Sequence, residues 1–287
     1  MHRVEVKKTY PNDFDKIYPL LKKFNSPYTK DEWRNIFSYK WDGMEDYVGF
    51  HLEHDGNVVG FMGLIFSCRY QKNKKYKFCN ITSLIVDEKY RVTTIFLIRK
   101  IKQLAETIFT GLGPIEQSYR LFNMIGFTAY ESFYKIIPTI NYLMGKKYII
   151  EAYEELTEIL SRVSNENKRI AADHSIHKCK TILFAVNGDY CMLIYNVTKQ
   201  NHYGFLVNKI RIHYVNDIFF LNKNIYSIFS FFNKRFGLFS SIYIDSRLLH
   251  KKFLFSIVKK VNPPRICMNQ YGNKIDVDEL YSEAILL

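Results

Sequence analysis

Cysteine is sparse in this sequence and follows no pattern. Five thiols (Cys68, Cys79, Cys179, Cys191, Cys267) are scattered through 287 residues, with no Cys-x-x-Cys pair and no Cys/His ligand spacing. That excludes a disulfide framework and a zinc module, and it fits reduced thiols. Long hydrophobic runs are also lacking. Nothing approaches the roughly 20 apolar residues of a spanning helix, and the most apolar stretch, Ile225 to Ile244, is broken by Asn233, Lys234 and Arg235. The opening residues carry no apolar core behind a basic start, so no secretory signal is read. These absences predict a soluble cytoplasmic protein and leave peripheral membrane contact open. Gly111-Leu112-Gly113-Pro114 matches no GxGxxG pattern and has no Lys-Ser/Thr follow-on, so it is not read as a nucleotide loop.

Aromatic and apolar residues, by contrast, are plentiful. The chain is 47% hydrophobic and 16% aromatic, with 23 Phe and 22 Tyr, enough to bury a core and to exclude disorder. Its length suits two modest domains. There are 41 basic and 28 acidic residues, for a formal charge of +13. That charge suits a polyanion, whether nucleic acid, an anionic surface or a phosphate-rich cofactor, and does not choose among them. The basic residues are spread out, apart from short runs such as Lys72 to Lys77, which read as a solvated face.

Periodicity gives the element order. Arg3 to Lys8 alternates as a strand, and Phe14, Ile17, Leu20, Leu21 and Phe24 form a helical stripe. Lys30 to Tyr39 reads as a helix capped by Thr29. Tyr47 to Glu53 and Val58 to Tyr70 form a hairpin on Asp55-Gly56. Phe78 to Val86 is a strand, Ile95 to Phe109 a helix with a short strand or loop from Thr107, Pro114 to Ile125 a helix, and Phe127 to Ile137 a strand. A soft boundary follows near residue 145, giving domains 1–145 and 146–287. Glu151 to Val163 reads as an acidic helix. A hairpin on Asn187-Gly188-Asp189, a strand from Phe205 to Tyr214, a helix from Asn222 to Phe236 and a strand from Ser240 to Asp245 then repeat the order of the first half.

The chemistry-bearing stretch runs from Asn80 to Ile101, where a buried strand passes through a turn into an amphipathic helix. A helix start offers unpaired N–H groups and the positive dipole end, a seat for pyrophosphate. The end of the strand can offer an N–H to a thioester carbonyl. Arg91, Thr93 and Thr94 add a charge and two hydroxyls. An ordinary strand–helix crossover would account for the same pattern. Elsewhere, His174 and His177 lack a third ligand and read as solvated or capping, so no metal is expected. Asn233 to Arg235 among phenylalanines reads as a helix with its apolar face inward. No DNA partner is expected.

Leu84 to Arg91, LIVDEKYR, resembles the GNAT acyltransferase family's central strand, its acidic turn and its Tyr-Arg pair. Gly113 to Phe127, GPIEQSYRLFNMIGF, is similar to the same family's last helix. The resemblance covers residues 1 to 140 and implies an α/β fold with a mixed central sheet flanked by helices, followed by a second, divergent GNAT-like domain. It implies acyl-CoA, most simply acetyl-CoA, as co-substrate. Leu84, Ile85 and Val86 would receive the thioester arm, and Arg91, Val92, Thr93, Thr94 and Ile95 the phosphates. Asn80 and Ser83 would lie at the reaction centre, and Phe122 at the leaving-group position.

Three departures stand out. The turn from Arg91 to Ile95 has no glycine, Asn80 stands where the family often has Glu, and Phe122 stands where it has Tyr. Either the enzyme works by proximity and oxyanion stabilisation on a nucleophilic acceptor such as an amino-sugar amine, or the fold persists without activity. Ile275 to Leu286 is also similar to the final segment of acyltransferases from surface-polysaccharide gene clusters. That implies a saccharide or nucleotide-sugar acceptor, as in lipopolysaccharide biosynthesis. The other readings are a tRNA-dependent aminoacyl transferase of the tandem-GNAT type and a non-catalytic binding subunit. Arg211 and His213 alternate along one second-half strand and are expected to face the acceptor, with His213 as a candidate base.

Overall fold

The computed structural model describes residues 4–71, 74–130, 132–202, 205–272 and 275–287. Arg3 and the start of the Lys72 run lie outside them. The chain forms two compact units, Met1–Glu131 with Pro263–Leu287, and Ser132–Asn262.

The first unit opens with β1 (Glu5–Thr9), α1 (Phe14–Leu21) and α2 (Lys30–Ser38). α1 buries Phe14, Ile17, Leu20 and Leu21 of the stripe read in the sequence, while Phe24 falls in the turn after it and is exposed. α2 starts at its expected cap. The Glu32 amide donates to Thr29 Oγ1 at 3.2 Å, and the Thr29 amide donates to Glu32 Oε2 at 2.7 Å, satisfying two orphan donors reciprocally. β2 (Gly49–His54) and β3 (Asn57–Gln71) follow. They are joined by Asp55 and Gly56 at φ +50° and +77°, the pair of positive dihedrals that a twisted two-residue hairpin requires. β4 (Lys74–Val86), α3 (Thr94–Lys102), β5 (Thr107–Gly111), α4 (Glu116–Met124) and β6 (Thr128–Ala129) complete this stretch.

The second unit contains β7 (Phe133–Pro138), β8 (Glu151–Tyr153), α5 (Leu156–Arg162), α6 (Asn165–Ser175), β9 (Lys180–Val186), β10 (Asp189–His202), β11 (Phe205–Val215), α7 (Ile218–Phe236), β12 (Ser240–Asp245) and β13 (Ile257–Lys260). Asn187 and Gly188, at φ +51° and +86°, turn its hairpin in the same way. The chain then returns to the first unit as β14 (Ile266–Asn269) and α8 (Glu283–Leu286).

Each unit has a seven-stranded mixed sheet, in the orders β1-β2-β3-β4-β5-β14-β6 and β13-β7-β12-β11-β10-β9-β8. The parallel pairs are β4 with β5 and β11 with β12. Hairpin, strand, helix and parallel strand therefore occur in both units, and the repeated order is a repeated architecture. α3 packs Leu97, Ile98 and Ile101 against Leu52, Met62, Leu64 and Phe66 in one core. α7 packs Leu221, Ile225, Ile228, Phe229 and Phe232 against Ile210, Ile212, Ile242 and Ile244 in the other.

Four sequence expectations differ from the structure. The helix expected to reach Phe109 stops at Lys102, and Ile108 and Phe109 belong to β5, whose five residues are all buried. A wholly buried strand has no alternation, so its apolar residues can extend a helical stripe by coincidence. The strand expected from Phe127 to Ile137 divides into β6 and β7, which lie in different sheets. The helix expected from Glu151 is first a strand, β8, and only then α5. The boundary expected near residue 145 falls inside the second unit, and the first unit is discontinuous.

Glu53 ties β1 and α1 to the hairpin. Lys16 Nζ and Lys7 Nζ each lie 2.5 Å from its carboxylate and hold its pKa down to about 2. A carboxyl lowered on folding lends stability that is present above its ordinary range, near 4.5, and is lost as pH falls toward 2. Glu53→Gln is expected to flatten this part of the acid-unfolding curve followed by circular dichroism. An acid limb identical to that of the parent would contradict the assignment.

Candidate functional site

β4 pairs with β5 in parallel only from Lys77↔Thr107 to Asn80↔Thr110. Among the described residues no strand pairs with that edge of β4 beyond Asn80, and its backbone groups open toward a cleft. On the other edge, the register with β3 jumps from Gly63↔Thr82 to Phe61↔Ile85. Ser83 and Leu84 thus oppose Met62 alone, a bulge with Ser83 at φ +54°. A bulge bends its strand and re-aims the local amides. Here it turns β4 away from β5 where the two part.

The opening is lined on the β4 side by Ile81, Thr82, Ser83 and Leu84, and on the other by Gly111, Gly113, Pro114, Ile115, Ser118 and Phe122. Ile266 of β14, Glu283 of α8 and Phe24 complete the wall. Ser83, Leu84 and Phe122, singled out from the sequence, line this opening, while Asn80 lies behind it and does not line it.

Asn80 is 2% exposed. Its Nδ2 donates to Thr110 Oγ1 at 3.1 Å and Thr110 O at 3.4 Å, and its Oδ1 accepts from the Glu283 amide at 3.4 Å. It pins the point of divergence, and a neutral amide takes up no proton at ordinary pH. Phe122 is buried and supplies only a ring to the wall. Thr82 Oγ1 and Ser83 Oγ share a hydrogen bond of 3.2 Å.

The turn after β4 differs from its expected form. Glu88–Thr93 is wound as a 3₁₀ helix that leads directly into α3. Its hydrogen bonds begin with Tyr90 N–H on Asp87 O at 2.8 Å and end with Thr94 N–H on Arg91 O. The Thr94 amide, expected to be open, is thus spent in the winding. The Thr93 and Thr94 hydroxyls donate to Tyr90 O at 2.6 Å and Arg91 O at 2.7 Å. Arg91 is exposed, 3.5 Å from Glu88. Without glycine the turn has no residue suited to an open phosphate loop, and it closes on itself.

Glu283 was not read from the sequence, because the segment that carries it joins this wall only through tertiary contacts. Arg69 grips Asp278 with two 2.6 Å hydrogen bonds, Asn35 Nδ2 donates to Leu286 O at 3.0 Å, and Arg265 Nη2 lies 2.8 Å from Glu279. Tyr281, at φ +57°, turns the chain into α8. Among the described residues that line the opening, Glu283 is the only carboxylate or imidazole.

His213 lies in the second unit, 2% exposed. It falls where the β10–β11 register shifts, between Ile212 and Tyr214, and does not line the first unit's opening. Arg211 lines a separate pocket of the second unit. His174 is fully buried, not solvated, and its Nδ1 donates to Ile170 O at 2.7 Å. Asn233 Nδ2 donates to Thr139 Oγ1 at 3.1 Å, and its neighbour Phe232 lies in the core. Among the described residues no group of three His, Cys, Asp or Glu side chains could hold a metal ion, and no helix is long and apolar enough to cross a membrane.

Two mixed sheets, each with a parallel pair joined through a helix, and one with a bulged and splayed central strand, define the fold of the GNAT acyltransferases. Solved structures agree over nearly the whole chain. A conserved protein of unknown function from Enterococcus faecalis aligns with 94% of this chain and 73% of its own, at TM-score 0.63 and 13% identity. A GCN5-related N-acetyltransferase from Anabaena variabilis aligns with 92% of this chain and 72% of its own, at TM-score 0.58 and 13% identity. One from Kribbella flavida aligns with 93% and 71%, at TM-score 0.58 and 9% identity. The chain thus has the tandem GNAT-like fold that its strand–turn–helix motif implied. No protein-family sequence model and no curated protein sequence matches it.

Proposed function

We propose that this chain is an acyl-CoA-dependent acyltransferase acting on a small polar acceptor, with the thioester held between β4 and β5. The observation that carries the reading is the parting of the two strands after Asn80, with the Ser83–Leu84 bulge at the mouth. Unpaired amides of β4 there can donate to the thioester oxygen as negative charge develops. The acceptor's N–H or O–H proton passes to Glu283, the acyl carbon moves from sulfur to the acceptor, and the proton held by Glu283 is handed to the departing thiolate through water or the Ser118 hydroxyl acting as a relay.

The cofactor phosphates meet the exposed Arg91 and the 3₁₀ turn that leads through Val92 to Ile95 into α3. An excess of cations over the chain favours such a donor. The finer reading is an acetyl group passed to an amino sugar or nucleotide-linked sugar in the cytoplasm.

Calorimetric titration with acetyl-CoA and longer acyl-CoAs, followed by thiol release in the presence of amino-sugar acceptors, tests the reading. Saturable binding with thiol release is expected. No binding of any acyl-CoA would sink it. Binding without turnover on any acceptor would favour a second reading, a non-catalytic binding protein, which the closed turn and the hydroxyl-free Phe122 support.

A further inference from the structure

The second unit has a concave site of its own, on the sheet face opposite α7. Along β11, Ile210 and Ile212 enter the core, so alternation turns Lys209 and Arg211 to the other face. Tyr243 of β12 pairs with Arg211, and Tyr134 of β7 pairs with Lys259 of β13. One pocket thus collects Lys209, Arg211, Lys259 and Lys260 around Tyr134 and Tyr243, and among the described residues no carboxylate lines it.

The cations are held in place. Arg211 Nη2 donates to Tyr134 Oη at 2.6 Å, which fixes the guanidinium plane. Lys209 Nζ lies 4.2 Å from the centre of the Tyr243 ring. The carboxylate that β12 does carry, Asp245, receives the Arg247 amide and guanidinium at 2.9 to 3.0 Å. Burial, then Arg211 and Lys259, lower the pKa of Lys209. Like charges gathered in a partly desolvated hollow repel one another, and an anion seated between them would relieve that repulsion.

We propose that this pocket binds a phosphorylated ligand, its phosphate oxygens between Lys209, Arg211 and Lys259 and any planar group against Tyr243. A guanidinium held in one orientation gives directional donors suited to phosphate, and the lysines supply charge. The proposal stands apart from the acyl-transfer reading, which concerns the first unit.

The test is calorimetry on the full chain with inorganic pyrophosphate, at low and at physiological salt. Saturable binding is expected, weakened about tenfold or more by the pair Lys209→Gln and Lys259→Gln. Lys199→Gln, on the same sheet but outside the pocket, is expected to change nothing. Parallel titrations with orthophosphate and ADP identify the source. ADP binding that weakens with Tyr243→Ala marks an organic phosphate, and equal affinities mark the free anion; both agree with the proposal. No saturable pyrophosphate binding overturns it, as does an affinity unchanged in the double variant or lowered equally by Lys199→Gln.

Discussion

Glu283→Gln is expected to lower kcat for acyl transfer by about 100-fold or more while leaving acyl-CoA affinity unchanged. The proton leaving the acceptor must go to a group at the opening. Asn80 is an amide whose hydrogens are spent on Thr110, and Phe122 has no titratable atom. Glu283 is the one carboxylate in the wall, and its backbone is tied to Asn80. Glutamine keeps the shape and removes the basicity, so binding and chemistry separate. Loss of the acidic limb of the pH–rate profile in the variant is the second signature, because a purely structural residue would leave that limb in place. Full turnover in Glu283→Gln, with the same profile, would move the proton acceptor elsewhere.

A second large effect is expected in stability. Arg265 is 1% exposed and lies 2.8 Å from Glu279, 4% exposed. A guanidinium does not give up its proton and favours the ionised form of a neighbouring carboxyl. Burial, then the neighbouring Glu283, outweigh this and push the Glu279 carboxyl up, to about 8. Arg265→Met strands that carboxyl and is expected to cost about 3–5 kcal/mol, measured by urea unfolding. The sign with pH follows from a folded pKa raised above the unfolded one. Without Arg265 the carboxyl is pushed further up, so the variant keeps more of its stability near pH 4.5 and loses it as pH rises. Replacing both residues, Arg265→Met with Glu279→Leu, is expected to recover most of the loss. A single variant as stable as the parent would show that the pair contributes little.

Local chemistry made much of this architecture readable. Asp55-Gly56 and Asn187-Gly188 announced both hairpins, because few residue pairs accept two positive φ angles. Thr29 and Glu32 announced α2. The strand–turn–helix from Asn80 onward placed Ser83 and Leu84 at the mouth of the opening. The bulge itself was hidden, because a serine at φ +54° carries none of the signal that a glycine would. The closed turn was hidden too, since spent amides show only in the winding. Glu283 and Ile266 were out of reach for a different reason. They join the first sheet across the whole second unit, and nothing in a four-residue strand such as Ile266–Asn269 states its partners. Lys259 and Lys260 were read only as part of a general excess of charge, because the pocket that gathers them depends on the pairing of β13 with β7.

That long return has a consequence for synthesis. β14 enters between β5 and β6, so the first sheet cannot close until residues beyond Pro263 have left the ribosome. Until then β5, with all five of its residues destined for burial, is a bare apolar edge open to wrong partners. The second unit, contiguous from Ser132 to Asn262, can fold while the first still waits. A fragment ending near residue 145 would lack β14, the Arg69 grip on Asp278 and the Glu283 wall. Its failure to stay soluble would report an unfinished sheet and say nothing about what the second unit contributes to the chemistry.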